Sequence, residues 1–384
     1  MSLDEDTFRQ LLDTVSRFVE ERLIPLEAET GDNDRVADNV VDEMRALGLF
    51  GLSIPEAYGG LGLSVEEEVR VIIELGHTSP AFRSVFGTNN GIGSQGIVID
   101  GTEEQKQKYL PKLASGEITG SFALTEPDSG SDAASLRTTA RKDGNEYVLN
   151  GTKRFITNAP NAGVFTVMAR TDPENKRAGG ISAFLVEADA PGLSLGKPYK
   201  KMGQQGAPVC DVIFDDCRIP ADALIGGVEG QGFKTAMKVL DRGRLVISGS
   251  CIGNAERLIR DSVAYAMERK QFDVPIADFQ LVQAMLADCE TELYAAKSMV
   301  LDAARLKDKG ENVTKQAAIC KYYSSEMVGR VADRAVQIHG GAGYIADYGI
   351  ERFYRDVRLY RLYEGTSQIQ QLIIAREMLK EAAG

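Results

Sequence analysis

The stretch from Tyr360 to Gln371 reads Tyr-Arg-Leu-Tyr-Glu-Gly-Thr-Ser-Gln-Ile-Gln-Gln and sets one carboxylate, Glu364, between Tyr363 and Gly365. Aromatic and apolar neighbours that keep water away from a carboxylate raise its pKa towards neutrality. A carboxylate poised there suits a general base. The same residues also read as a plain loop glutamate ahead of a helix that Thr366 caps, with Ile369, Leu372, Ile373 and Met378 recurring at helical spacing. The chain holds only two histidines, His77 and His339, so proton transfer falls to a carboxylate. Its five cysteines (Cys210, Cys217, Cys251, Cys289 and Cys320) are scattered and lack CxxC spacing. That pattern fits reduced core thiols better than disulfides or a zinc site, and no metal is expected.

Other stretches offer binding groups. Phe122 to Asp132, Phe-Ala-Leu-Thr-Glu-Pro-Asp-Ser-Gly-Ser-Asp, supplies Thr125, Ser129, Ser131 and backbone amides that could hold the polar edge of a ring or a diphosphate. It has no lysine and is not a Walker loop; a connecting loop is the plain alternative. Phe155-Ile156-Thr157-Asn158 ends a strand pattern with an aromatic ring and a hydroxyl, suited to a flat cofactor or to a strand core. Gly340-Gly341-Ala342-Gly343 follows a helical pattern where a dinucleotide fingerprint follows a strand, so it marks a helix end or a close backbone approach. Asp241 and Arg244, three apart on a predicted helix, share one face and can pair or grip a ligand. Arg269, with Gln271 and Gln280 beyond it, offers a guanidinium suited to a diphosphate.

The elements that must position these groups follow from periodicity. At 384 residues and 43% hydrophobic, the chain can bury a large core divided among two or three domains. Residues 1–120 read as helices. Phe8, Leu11, Leu12, Val15, Phe18, Val19 and Leu23 make one apolar stripe that Pro25 ends or bends, and further patterns cover Val36 to Leu47, Ser64 to Leu75 and Glu103 to Leu113. The small residues Gly91, Gly93, Ser94 and Gly96 suit close helix packing or a ligand channel. Residues 121–233 read as short strands: Arg137 to Arg141, Tyr147 to Leu149, Thr152 to Thr157, Val164 to Arg170, Ile181 to Glu187 and Asp211 to Phe214. Asp143-Gly144-Asn145 signals a hairpin and Asn150-Gly151 a second turn. Strands this closely spaced predict an antiparallel β-sandwich or barrel, with no Rossmann unit. Residues 234–384 return to long helices, Phe233 to Met267, Phe279 to Lys309, Val313 to Ile338 and the last one, which predict a four-helix bundle. The fold class is therefore α+β in three domains.

The formal charge of −12 argues against a nucleic-acid or anionic-membrane partner. No apolar run approaches the roughly 20 residues that span a bilayer, and the start, Met-Ser-Leu-Asp-Glu-Asp, is acidic where a signal or transit peptide is basic. A cytoplasmic protein is expected.

Four motifs stand together in order: Phe122 to Asp132, Arg269-Lys-Gln-Phe-Asp-Val-Pro-Ile-Ala-Asp-Phe-Gln280, Gln337-Ile-His-Gly-Gly341 and Leu362-Tyr-Glu-Gly-Thr-Ser-Gln-Ile-Gln370. In order and spacing, over essentially the whole chain, they resemble the acyl-CoA dehydrogenase family. The resemblance implies an FAD enzyme that oxidises an acyl-CoA thioester to its trans-2-enoyl-CoA in fatty, branched or cyclic acid degradation, passes electrons to an electron-transfer flavoprotein, and assembles as a homotetramer. It makes Glu364 the base for the α-proton, with the β-hydrogen leaving as hydride to flavin N5 and the thioester carbonyl polarised by the main-chain N–H of the base and a flavin ribityl hydroxyl. It further implies that Phe122, Leu124, Thr125 and Ser131 contact flavin, that Ser131 also lies near CoA, and that Phe155, Ile156 and Thr157 form the strand at the flavin face. Arg269, Gln271, Gln280 and Gln337 to Gly341, including Gly340, would meet the FAD diphosphate and adenine side, some from a neighbouring subunit. Thr366 and Gln368 match cofactor positions. Asp241 and Arg244 match positions that hold CoA, and Tyr363 and Gly365 flank the reacting thioester.

The chain departs from the pattern in places. Phe155 stands where many members have tryptophan, Gln205 and Ala207 replace an arginine and a hydroxyl residue, and Gly243 occupies the position from which some branches project their base. Three rivals remain beside the dehydrogenase: an oxidase that passes electrons to oxygen, a lyase on a substituted acyl-CoA, and a catalytically silent scaffold.

Overall fold

A computed structural model describes residues 3–383. The first part is helical: α1 (Glu5–Phe18), α2 (Glu27–Asn33), α3 (Asp38–Ala46), α4 (Val65–Leu75), α5 (Pro80–Asn90), α6 (Gln95–Asp100) and α7 (Glu103–Ser115). Local chemistry starts these helices. Asp4 caps α1, and capping boxes of Ser64 with Glu67 and Thr102 with Gln105 open α4 and α7. Before Pro25 the chain does not simply stop: α1 loosens into a π turn at Val19–Leu23 and then a 3-10 turn at Ile24–Leu26. The ring removes one backbone donor, and the wider and tighter turns absorb the change. The small residues in and after α5 are used in two ways. Gly93 packs on the backbone of Gly120, whereas Gly87 and Gly91 line a cavity.

The middle part is one seven-stranded sheet: β1 (Thr119–Ala123), β2 (Thr139–Asp143), β3 (Glu146–Thr157), β4 (Ala162–Arg170), β5 (Ile181–Glu187), β6 (Leu193–Leu195) and β7 (Val209–Pro220). It folds into two faces. One holds β5, β4 and β1, the other β2, β3, β7 and β6, and the pairing of Thr139 with Arg170 joins them. Phe165, Val167, Phe184 and Val186 of the first face share a core with Leu149, Ile156, Val212 and Phe214 of the second, which is the sandwich the strand spacing predicts. Pairing is antiparallel except that β1 and, at that one bridge, β2 run parallel to β4. The Asp143-Gly144-Asn145 hairpin is present between β2 and β3. Asn150-Gly151, predicted as a turn, is instead a bulge inside β3. Pairing with β7 carries the strand through, and Gly151, at φ 146°, lies against Thr138, where a side chain would collide.

The last part holds α8 (Gly232–Glu268), the small β8–β9 ribbon (Lys270–Gln271 and Val274–Pro275), α9 (Gln280–Asp308), α10 (Thr314–His339), α11 (Ile350–Val357) and α12 (Ser367–Ala383). Leu258, Leu293, Val300, Met327 and Val331 from three long helices share a core with Val69 and Ile73 of α4, so the bundle is packed onto the first part as well as on itself. All five cysteines are buried and unpaired. Among the described residues no helix is long and apolar enough to cross a membrane.

Candidate active site

A cavity of about 440 Å³ opens where the three parts meet, walled by α5, β1 and its following loop, the end of β3, α8 and the turn before α12. Glu364 sits in that turn with φ 52°, a left-handed conformation that a non-glycine residue holds only when its surroundings impose it. Two buried side chains impose it. Gln370 donates from Nε2 to the Glu364 carbonyl at 3.0 Å and the Gly365 carbonyl at 3.1 Å, and Lys321 donates from Nζ to the Gly365 carbonyl at 2.6 Å. Thr366 caps α12 as expected, accepting at Oγ1 from the Ile369 N–H at 3.3 Å.

Glu364 is half-buried and lines the cavity. Its Oε2 is buried and, among the described residues, accepts no hydrogen bond. Burial raises its pKa, and the positive charges of Arg83, Lys321 and Arg244 oppose that rise without cancelling it. Beside it, Gly243 of α8 has no side chain, and a Cβ there would stand 2.6 Å from Oε2. Neither histidine borders the cavity: His77 pairs with Glu256, and His339 stacks on Tyr265.

The opposite wall is aromatic. β3 bulges between Lys153 and Ile156, and Phe155 takes φ 60°, which turns its ring outward until 58% of the residue is exposed at the cavity, with Tyr199 tilted against it at 5.3 Å. Phe122, Leu124, Thr125, Ser131, Ile156 and Thr157 line the same space. The loop after β1 is held by an ion pair that sequence reading missed. Lys153 is fully buried and donates to Glu126 Oε1 at 2.7 Å and to the Leu124 carbonyl at 3.0 Å, while Glu126 accepts the Arg137 and Thr138 amides. Burial pulls the Lys153 pKa down to about 8 against the attraction of Glu126. An inward-facing lysine in an alternating strand was the signal available.

Asp241 and Arg244 pair at 2.7 Å as their spacing implies, with Arg244 on the cavity wall and Asp241 behind it, held by Thr314. Tyr363 and Gly365 also line the cavity. Gln368 is exposed on α12 outside it, and Thr366 is engaged in capping. Arg269, Gln271, Gln280, Gln337, Gly340 and Gly341 are brought together elsewhere, exposed around the β8–β9 ribbon and the end of α10. Gly340 ends α10, in keeping with the helix-end reading of that glycine run. Arg83, Glu68, Arg242, Lys321 and Gln370 are site residues that no local pattern flagged.

The cavity suits a flat, polar-edged ring on one side and a reacting chain on the other. Phe155 offers an open aromatic face, and among the described residues the hydroxyls of Thr125, Ser131 and Thr157 make no hydrogen bond of their own. A carboxylate of raised pKa facing such a wall is the arrangement of an enzyme site that holds a flat cofactor. The family descriptions "Acyl-CoA dehydrogenase" N-terminal, middle and C-terminal domain match residues 5–117, 121–217 and 230–379. The chain is 45% identical over 377 residues to the acryloyl-CoA reductase (NADH) of Anaerotignum propionicum, covering 97% of this chain and 94% of the relative. It is 41% identical over 353 residues to the caffeyl-CoA reductase-Etf complex subunit CarC of Acetobacterium woodii, covering 92% and 93%. The solved butyryl-CoA dehydrogenase of Megasphaera elsdenii is similar at a TM-score of 0.94 and 35% identity, covering 99% of this chain and 100% of that one. The chain belongs to the acyl-CoA dehydrogenase family, FAD-dependent oxidoreductases that act on CH–CH bonds.

Proposed function

We propose that this chain oxidises an acyl-CoA thioester to its trans-2-enoyl-CoA, with Glu364 removing the α-proton. The observation that carries this reading is the Glu364 carboxylate: buried and, among the described residues, unpartnered at Oε2, raised in pKa and facing the cavity beside a glycine. FAD, when bound, supplies the acceptor for the β-hydrogen. Phe155 gives the ring a face to rest on, and Thr125, Ser131 and Thr157 meet its polar edge. Gln370 and Lys321 grip the carbonyls of residues 364 and 365, which leaves the Glu364 N–H, unengaged among the described residues, to polarise the thioester carbonyl. An α-C–H is a poor acid, so this polarisation and the fixed approach of the carboxylate do most of the work. Arg244, oriented by Asp241, and Ser131 at the cavity mouth hold the CoA part, with Tyr363 and Gly365 beside the thioester.

The exposed cluster of Arg269, Gln271, Gln280, Gln337, Gly340 and Gly341 completes the FAD site of a neighbouring copy in a homotetramer. Phe272, Leu281 and Tyr344, each more than 80% exposed in the single chain, lie in the same region and suit burial between copies. Electrons leave to an electron-transfer flavoprotein, in line with the Etf complex named for the Acetobacterium relative. A second reading runs the same site backwards, with protonated Glu364 delivering the α-proton to an enoyl-CoA; two relatives named as reductases favour it.

The test is an anaerobic titration of the holoenzyme with saturated acyl-CoAs while flavin absorbance is followed, alongside Glu364→Gln. The wild type should bleach, and the variant should keep FAD and bind acyl-CoA while slowing roughly 100- to 10,000-fold. Turnover retained in the variant places the base elsewhere. Reoxidation of the reduced enzyme by an enoyl-CoA, faster than its formation by the saturated ester, identifies the reductase direction. Rapid peroxide formation under air identifies an oxidase.

A further inference from the structure

Among the described residues, five cationic side chains border the cavity, and four of them have a carboxylate partner. Arg242 meets Glu68 at 2.5 Å, Arg244 meets Asp241 at 2.7 Å, Arg376 meets Glu377 at 2.9 Å and Lys201 meets Asp34 at 3.4 Å. The fifth, Arg83 of α5, has no described carboxylate within 4.0 Å, donates no hydrogen bond to a described residue, and has a buried, unpartnered Nε. Its guanidinium lies folded along α5 over Gly87, where a Cβ would come within 3.0 Å of Nε and Cζ. The glycine thus leaves the cation a seat on the cavity wall.

A half-buried guanidinium whose Nε is shut off from water without a partner is costly, and α5 places it at a cavity able to receive a ligand. The anion it awaits belongs to that ligand. Arg83 lines the same cavity as Tyr363 and Glu364, at its reacting end, and its charge is the first of those that oppose the rise in the Glu364 pKa. With the α-carbon against Glu364, the phosphates of CoA hang a whole pantetheine arm away, so the group within reach of Arg83 is the acyl chain itself. We propose that Arg83 binds a carboxylate at the far end of that chain, so that the substrate is the CoA monothioester of a dicarboxylic acid. The inference rests on the acyl-CoA reading of the site given above. It also couples binding to chemistry. A substrate carboxylate on Arg83 neutralises a charge that otherwise holds Glu364 towards its ionised, less basic state, so the correct substrate strengthens its own base.

The experiment compares two series of CoA esters of equal length, one ending in carboxylate (succinyl, glutaryl, adipyl) and one ending in methyl (butyryl, valeryl, hexanoyl). Dissociation constants are measured by titration calorimetry on the FAD-loaded protein in a Glu364→Gln background, where no turnover follows binding. Flavin bleaching is read in parallel on the wild type. At the length that reaches Arg83, the carboxylate series should bind roughly 10- to 100-fold more tightly than its uncharged partner, the worth of a charge-assisted pair. Arg83→Met should collapse that ratio to one or below, and Arg83→Lys should keep part of it. The inference is overturned if the methyl series binds as tightly at every length, a result that needs no variant. It is also overturned if Arg83→Met weakens both series by the same factor, which would make Arg83 a contact to the thioester or the cofactor. Failure of both series to bind and bleach would overturn the acyl-CoA reading itself, whereas bleaching by the methyl series alone removes only this inference.

Discussion

Replacing Gly243 by alanine puts a methyl group where the Glu364 carboxylate rests. The added Cβ would lie 2.6 Å from Oε2, about 0.8 Å inside the 3.4 Å at which ordinary contact begins. One of the two must move, and the carboxylate is the end of a flexible side chain whereas Gly243 lies within the 37-residue helix α8. The carboxylate therefore yields and the fold does not. Alanine in a helix interior is favoured over glycine by roughly 1 kcal/mol, so thermal stability should hold or rise slightly. Catalysis should fall, because displacing a base by nearly 1 Å from its line of attack costs on the order of 100-fold. The assay pairs a melting curve of the FAD-loaded protein with anaerobic stopped-flow flavin reduction. Reduction within about threefold of wild type would mean that the carboxylate does not act from where it lies. A loss of more than about 2 kcal/mol of stability would mean that the helix moved, and the geometric reasoning would fail for that different cause.

Three further outcomes are expected. Because burial raises the pKa of Glu364, flavin reduction should increase as pH rises through a value above the ordinary carboxylate range, and Lys321→Met, by removing a cation that opposes the rise, should move that midpoint higher; an unmoved midpoint would leave Lys321 as packing only. Lys153→Met strands buried Glu126 without its partner and should cost about 3–5 kcal/mol in urea unfolding together with weaker FAD retention; a loss under about 1 kcal/mol would show that Glu126 is readily solvated. Burial lifts Asp356, which accepts from Gln204 N, to a pKa of about 6 from 3.8, so the native state holds its proton over a window where the unfolded chain has lost it. The resulting stabilisation is complete below about pH 4 and fades as pH rises through 6, worth about 3 kcal/mol, and Asp356→Asn should flatten that slope in denaturant titrations at pH 4 to 7.

Much of the architecture lies in local patterns. The helices at Ser64 and Thr102 announce themselves by their capping boxes, the α8 to α10 stripes by their period, and the strand at Ile181–Glu187 falls where its β-rich run lies. The local setting of Glu364 was legible because the aromatic before it, the glycine after it and the capping threonine are all within two residues. Asn150-Gly151 misled because turn propensity is local, while its pairing with β7 is made by residues some 60 positions on. The same distance in sequence hid most of the site. Lys153 grips a loop 27 residues earlier, Lys321 a carbonyl 44 residues later, and Gly243 makes room for a carboxylate on another segment altogether. Composition and period decide which residues form elements, since those preferences act over one or two turns of chain. Which cation goes unpaired, how far the Glu364 carboxylate is dried, and what ring wall faces it depend on exclusion of water by segments remote in sequence, and only the packed tertiary structure decides that.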